Sequence, residues 1–504
     1  MKMKIFNILI ILVITIFLNL SCRNNRLKTN EKELAKEISL KEKEKQEAER
    51  LDQENQDKDT LANIRSGFQY KEDRSVDPAH PPVVIDFSKD IPVMEFKLGD
   101  LTSKVSYLVL QVPTDSLYFS EWPEININSN SIIVNNNMGI NRFDRDGKFI
   151  ETICKNTFSV PRNIEPGRPM YNSFSKETFM GAWRNHVQTA GNTVFYKYTN
   201  YPAETVSLLR FTSEAGTQNF QVPQISETGT PITYARGEMI ATGKEALSSG
   251  TPGLSSTSIL AVSDNCYAGI TSGLKAFLKN STLLVTFNLK GDTLCKFKQY
   301  EYLKTPITST VMRSYSNSTW HFGSTTTIKP AFNDTVFRLI PPNRLIPVFV
   351  FNFGEKKVTA EDWLHVSNPV EGKIRIGEIL ENQNFLFIQY NYGPSGIKQI
   401  TERALFDKSK NKLFRFSRND KPKNKIYNFW INSLENNLDG GPDFWPGYIT
   451  PEGKPAFSMR PEDLKKYIQN SDYSSGSDPK KNAFKNFVQS LNGGGREIVI
   501  MITE

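Results

Sequence analysis

Between Asn333 and Gly354 the chain reads N-D-T-V-F-R-L-I-P-P-N-R-L-I-P-V-F-V-F-N-F-G. Thr335 to Ile340 is β-branched and aromatic, which favours a strand. Pro341-Pro342-Asn343 cannot continue it and reads as a turn. Leu345 to Phe353 then places Ile346, Val348 and Val350 on one side and Leu345, Phe349, Phe351 and Phe353 on the other. Side chains alternate across a strand, so a strand that is apolar on both sides needs a cover on both. Sheets stacked face to face around an axis provide this, as in a β-propeller.

The same kind of hairpin recurs. Ile132-Ile133-Val134 leads into Ile140 to Ile153, I-N-R-F-D-R-D-G-K-F-I-E-T-I, with Asp146-Gly147 as a hairpin turn. Leu284 to Phe297, L-V-T-F-N-L-K-G-D-T-L-C-K-F, repeats it, pairing Phe143 with Phe287, Asp144 with Asn288, Gly147 with Gly291 and Ile150 with Leu294. Looser copies are Leu208 to Phe220 and Ala404 to Phe416, and Asn192 to Phe195 echoes Asp334 to Phe337. The two strong pairs lie 144 and 142 residues apart. Two units of roughly 70 residues fit that interval, and six fit between Val83 and the end; units longer than the usual propeller repeat imply loop insertions. Gly229 to Gly273, rich in Ser, Thr and Gly, is the expected insertion. Near the end, Pro461-Glu462-Asp463-Leu464 marks a helix start, Ala483 to Leu491 a second short helix, and Arg496 to Thr503 a last strand. In a closed ring that strand pairs within, or lies next to, a sheet holding an early strand such as Val83 to Phe87.

Residues 1–21 change the address. Lys2 and Lys4 precede an apolar run, Ile5 to Leu20, and then Ser21-Cys22, which is the layout of a secretory signal. The run is short for a membrane span, which takes about 20 residues. Ser21-Cys22 resembles a bacterial lipoprotein processing site, although Asn19 stands where an aliphatic residue is usual; the expectation is a lipid on Cys22 and stable membrane anchoring. Arg23-Asn24-Asn25-Arg26 lacks the acidic residues of a surface-export signal, which favours the periplasmic face of the outer membrane. Glu31 to Asp59 is mostly Lys, Glu, Gln and Asp and reads as a solvated or helical tether closed by His80-Pro81-Pro82. The expected division is 1–21 signal, 22–80 tether and 81–504 propeller.

Over 504 residues, 38% hydrophobic and 11% aromatic content supports a large core. The net charge of +8 becomes +6 when Lys2 and Lys4 leave with the signal, and the cations are interspersed with acids. Phosphate binding needs clustered Lys and Arg, so nucleic acid is not an expected partner. The most basic window, Lys408 to Lys425, reads as sheet edge and loop. With Cys22 lipidated, Cys154, Cys266 and Cys295 remain; an odd number argues for buried thiols, with one Cys266–Cys295 bridge as the alternative.

Candidate chemistry is sparse. His80, His186, His321 and His365 show no metal-ligand spacing, and no zinc-protease, nucleophile-elbow, P-loop or dinucleotide motif occurs. No metal and no cofactor are expected. Asp439-Gly440-Gly441-Pro442-Asp443-Phe444-Trp445 puts two carboxylates and two aromatics on a glycine-freed loop. It is either a ligand-contacting loop, with Asp439, Asp443 and Trp445 as contacts, or a structural turn with the aromatics packed beneath. Calcium held by Asp439 and Asp443 is the least favoured form of the first. Trp183-Arg184-Asn185-His186 forms a second candidate: either Trp183, Arg184 and His186 hold a sugar or a carboxylate, or Trp183 is core and its polar neighbours are loop.

F-D-R-D-G-K-F (Phe143 to Phe149), F-N-D-T-V-F-R-L (Phe332 to Leu339) and N-L-D-G-G-P-D-F-W-P (Asn437 to Pro446) together make residues 83–504 resemble the six-bladed β-propeller lipoproteins of Bacteroidota. The resemblance implies a secreted, lipid-anchored, all-β propeller with short helices near its end, and carries no catalytic residues. The expected function is non-enzymatic binding of a glycan, a peptide or an envelope protein on the ring face where loops gather. The alternative is a calcium-dependent hydrolase or lyase acting on a lactone or glycan.

Overall fold

The computed structural model describes residues 70–113, 123–136, 139–156, 187–190, 193–200, 205–211, 219–221, 233–236, 238–244, 258–263, 266–271, 274–288, 293–305, 315, 317–323, 325–365, 370–392, 400–416, 433–469, 473 and 478–504. Among the described residues the strands form six hydrogen-bonded sheets. Named from the inside outward, the first contains Glu124–Ile127, Ile132–Asn136, Gly139–Phe143 and Phe149–Asn156, extended by Thr233–Arg236 and Asn219–Gln221. The second contains Val187–Ala190, Thr193–Asn200, Thr205–Phe211 and Glu238–Lys244. The third contains Ser258–Ser263, Cys266–Ile270, Thr282–Asn288 and Thr293–Lys298. The fourth runs Ser318–Phe322, Thr325–Lys329, Thr335–Ile340 and Arg344–Asn352, and the fifth Ile374–Glu381, Phe385–Tyr392, Ile400–Asp407 and Lys412–Phe416. The sixth holds Tyr448–Ile449, Pro455–Met459 and Glu497–Thr503.

Successive sheets meet along their inner strands, except that Ser258–Ser263 of the third lies beside Thr325–Lys329, the second strand of the fourth, and the sixth returns to the first through Tyr448–Ile449 beside Glu124–Ile127. This is an all-β propeller arrangement with few helices. Its cores lie between sheets. Phe87, Val336, Phe351, Ile379, Leu386 and Ile388 fill the space between the fourth and fifth, and Phe387, Leu405, Phe414, Phe444 and Trp445 the space between the fifth and sixth. Two-sided apolar strands exist because each sheet is sandwiched by its neighbours. In Arg344–Asn352 one face is buried and the other half-buried, as the alternation required.

Residues 83–111 strap the outer edges of three consecutive sheets. Val83–Asp86 pairs in parallel with Arg344–Asn352, and Val93–Met94 in parallel with Lys412–Phe416. Val105–Gln111 pairs antiparallel with Glu497–Thr503, from Glu497 opposite Gln111 to Thr503 opposite Val105. The early partner of the last strand is therefore Val105–Gln111, not Val83 to Phe87. The reason lies in burial. Six of the seven residues of Glu497–Thr503 are buried, so it needs a neighbour on each side, whereas Val83 and Val84 are exposed and suit an edge.

Two further expectations change. Gly229 to Gly273 is not one loop insertion: it contributes Thr233–Arg236 to the first sheet, Glu238–Lys244 to the second, and Ser258–Ser263 and Cys266–Ile270 to the third. The echo between Asn192 and Asp334 joins the second strand of one sheet to the third strand of another, so the two are not equivalent positions. Cys154, Cys266 and Cys295 are buried free thiols. Burial pushes the thiols of Cys154 and Cys295 up to about 12, which keeps them protonated and unreactive.

Candidate functional site

The segment entering the sixth sheet is pinched where Leu434 and Phe444 exchange two backbone hydrogen bonds of 2.8 Å each. Between them the chain turns on short polar side chains that bond their own backbone. Asn436 Nδ2 donates to Asp439 Oδ1 at 2.7 Å, and Gly441 N donates to the same oxygen at 2.9 Å. Asn436 N donates to Asp443 Oδ1 at 3.4 Å, and Leu438 N to Asn436 Oδ1 at 3.0 Å. Gly440 sits at φ +80°, a conformation glycine reaches without strain. At Gly441 any side chain would meet the Tyr107 hydroxyl, 2.2 Å from where a Cβ would lie. Phe444 is fully buried. Trp445 is 6% exposed and meets Phe387 and Phe416 edge-on at 5.6 and 5.9 Å. The Asp439–Trp445 stretch is thus a tightly bonded turn above packed aromatics.

That turn forms one wall of an open groove of about 430 Å³. Lys104 and Tyr107 line it from the strap, Asp439 from the turn, and Lys480, Phe484 and Phe487 from a helix, Pro479–Ser490. The helix starts there because Asp478 caps it, accepting from Lys480 N and Lys481 N, with proline at its first turn. Phe484 and Val488 face the core, one turn apart. Tyr107 lies 5.5 Å from Phe484 and 5.2 Å from Phe487, ring centre to ring centre. Burial first, and then the Asp439 charge, raise the Tyr107 phenol far above its ordinary range, so it stays a neutral donor. Lys104 pairs with Glu504 at 2.7 Å. The groove offers the ring faces of Tyr107 and Phe487 and two lysines, of which Lys104 is paired with Glu504, and its carboxylate is occupied by the turn.

A second polar site lies on the innermost strand of the fifth sheet. Glu378 occupies a bulge between Ile376 and Ile379 and is solvent-exposed. Desolvation nevertheless raises its pKa, with the Arg403 charge opposing. Arg403 has its pKa lowered to about 10 by burial, again with Glu378 opposing; it donates to Ser433 Oγ at 2.5 Å and stands 5.0 Å above the Trp445 ring. Trp445 is thus a platform for Arg403. His321, on Ser318–Phe322, has its pKa lowered by burial. Among the described residues no group of three or more His, Cys, Asp or Glu is placed to hold a metal.

Glu378 gives a pH prediction. Its folded pKa lies above the unfolded value, so the folded state binds the proton more tightly. Stability should therefore rise as pH falls through the folded pKa towards the ordinary glutamate value of 4.5. Glu378→Gln is expected to stabilise the protein at pH 7 and to flatten that part of the profile, measured as Tm against pH. An unchanged profile contradicts the assignment.

Of the residues picked from sequence, Asp439 lines the groove, Asp443 braces the turn and Trp445 is core. Trp183, Arg184, His186 and Cys22 lie outside the described residues. Sequence reasoning missed Tyr107, Phe484, Phe487 and Lys480. The signal for two of them was present: Phe484 and Phe487 sit three apart on a helix whose apolar face continues at Val488.

Residues 65–470 match the family described as a domain of unknown function (DUF4933), and the chain belongs to that family. No curated protein matches it. Among solved structures it is similar to a putative exported protein from Bacteroides fragilis, at 12% identity and TM-score 0.43, covering 83% of this chain and 99% of that one. It is also similar to a member of the duf4221 family from Bacteroides vulgatus, at 11% identity and TM-score 0.34, covering 61% and 84%.

Proposed function

We propose that this member of the DUF4933 family is a binding propeller of the bacterial envelope, anchored to a membrane by a lipid on Cys22. Its ligand occupies the groove between the strap, the Asp439 turn and the Pro479–Ser490 helix. The observation that carries this reading is the groove's composition: Tyr107 and Phe487 offer ring faces over the buried Phe484, and Lys480 and the Glu504-paired Lys104 stand at the exposed rim. Aromatic faces with a few fixed polar groups suit a ring-bearing ligand, and the lysines favour an anionic substituent. A saccharide carrying an acidic group has both. The volume of about 430 Å³ is small-molecule sized. The signal-like start and the charged tether support the anchored location; among the described residues no helix is long and apolar enough to cross a membrane.

The test is calorimetric titration of the purified full chain with a panel of acidic and neutral oligosaccharides and short peptides. Acidic saccharides should bind, and Phe487→Ser should weaken binding about tenfold or more, the size of loss expected for a central aromatic contact. Equal binding by Phe487→Ser, or no binding by any acidic saccharide, overturns the reading.

A further inference from the structure

Residues 298–304 end and follow the outer strand of the third sheet, and they alternate in exposure. Lys298, Tyr300, Tyr302 and Lys304 are exposed, whereas Gln299, Glu301 and Leu303 are buried or half-buried. In extended chain such alternation sets one face outward. Backbone bonds lay a second segment beside it. Gln299 N donates to Ser281 O at 2.8 Å and Leu303 N to Phe277 O at 2.8 Å, which brings up the turn carrying the exposed Leu278 and Lys279. Residues 70–74 lie against the same strand. Tyr70 N donates to Leu294 O at 3.1 Å, Lys298 N donates to Glu72 Oε2 at 3.0 Å, and the Arg74 guanidinium stands 4.7 Å over the Tyr300 ring. Tyr300 is 57% exposed, Tyr302 45% and Leu278 40%. Scattered apolar side chains on a surface need no explanation, but rings and an alkyl group gathered among lysines form a patch. The carboxylates bordering it are engaged. Glu72 pairs with Arg74 at 3.1 Å, Asp73 pairs with Arg344 at 3.1 Å, and Glu361 accepts from Lys304 N at 3.1 Å and lies 3.3 Å from His365. Glu301 alternates inward, towards Lys357 and Lys329. Setting Glu72 and Glu361 against Arg74, Lys279, Lys298 and Lys304 still leaves an excess of cations.

We infer that this face docks on the surface of an anionic lipid bilayer, with the Tyr300 and Tyr302 rings at headgroup depth and the lysines against lipid phosphates. Tyrosine has an apolar body and a polar tip, which suits the boundary between acyl chains and water. A lysine lays its alkyl stem along such a boundary and keeps its ammonium in the headgroups. The excess of cations matches the charge of the lipid. The path of the chain points to the same partner. The described chain begins at Tyr70, on this face, so residues 22–69 of the tether join the propeller here. An anchor at the far end of that tether holds a bilayer within reach and lets a weak face dock, a step that rests on the anchored location proposed above. The groove belongs to the sixth sheet, which neither precedes nor follows the third round the ring, so docking leaves it open.

The experiment uses the full chain carrying Cys22→Ser, which no lipid can join, so its outcome is independent of acylation. Acylation is read separately, from the mass of the N-terminal peptide of the native protein. Sedimentation with phosphatidylcholine vesicles is compared with sedimentation with vesicles in which about one lipid in three is phosphatidylglycerol. Apolar association through residues 5–20 is common to every arm. Partition onto the anionic vesicles should exceed that onto the neutral ones about tenfold or more at low salt, and most of that margin should vanish at about 1 M salt, where the Debye length is about 3 Å. Lys279→Gln/Lys298→Gln/Lys304→Gln should remove the margin, at about fivefold per lysine. Tyr300→Ser/Tyr302→Ser leaves the charge unchanged and should weaken anionic binding about fivefold or more. Equal partition onto the two vesicles, or wild-type binding by either variant, overturns the inference. Binding to soluble dextran sulfate without binding to anionic vesicles also overturns it, and gives the face to an acidic polymer.

Discussion

Replacing Glu381 with leucine is expected to destabilise the fold by about 3 kcal/mol or more, the range seen when one partner of a buried ion pair is removed. Glu381 is 1% exposed and ends the innermost strand of the fifth sheet. Its Oε1 accepts from Arg338 at 2.6 Å and from Lys408 Nζ at 2.7 Å, and its Oε2 accepts from Trp320 Nε1 at 2.9 Å. Trp320 and Arg338 belong to the fourth sheet, so this carboxylate ties two sheets together at the ring's interior. Both cations also lie over the Phe322 ring, at 4.1 and 4.4 Å. Arg338 and Lys408 retain about a fifth of their side-chain exposure, which lets water soften the loss and places the estimate at the low end of the range. In Glu381→Leu both cations remain and the Trp320 indole loses its acceptor. The pH dependence follows from Lys408. Burial lowers its pKa and Glu381 opposes that shift, so the variant should lower it further. A lysine depressed in the folded state weakens folding while it is charged, so the variant's deficit should shrink as pH rises towards 10. Adding Lys408→Met should recover part of the stability, a coupling readable in a double-mutant cycle. Chemical denaturation midpoints measure all three variants, and additive effects would contradict the shared carboxylate.

Trp445→Ala is expected to remove about 3–5 kcal/mol, as for other buried aromatics cut to alanine. The indole fills the space between the fifth and sixth sheets against Phe387 and Phe416 and carries Arg403 on its face. Its loss opens a cavity and leaves a buried guanidinium without its platform. A ligand contact on an exposed loop would behave otherwise: stability would hold and binding alone would fall. Trp445→Phe separates the two, since it keeps the ring packing and should restore most of the midpoint.

The hairpins legible in sequence are the outer ones. Ile140 to Ile153, Leu284 to Phe297 and Ala404 to Phe416 each map onto the third and fourth strands of a sheet. Their signal is strong because these strands are long and apolar and turn on residues in the left-handed region, Gly147 at φ +86° and Asn411 at φ +51°. The inner strands left little trace. Ser318–Phe322 is short and mixed, and Tyr448–Ile449 has two residues, too few for an alternating pattern to register. Composition also misled. Gly, Ser and Thr made residues 229–273 read as loop, whereas neighbouring sheets recruit four strands from it. The Asp439 turn was readable from its Asn, Asp and Gly residues. The groove beside it was not, because Tyr107 reaches Phe484 and Phe487 only through the pairing of the strap with the last strand.

That pairing places the functional claim at the outer edge of the sixth sheet rather than in the ring's channel. The most direct test is a crystal structure of the protein with the tightest acidic saccharide of the panel. The account predicts ligand density against Phe487 and Tyr107, with its anionic group near Lys480. Density in the central channel beside Glu378 and Arg403, with the groove unfilled, would contradict it.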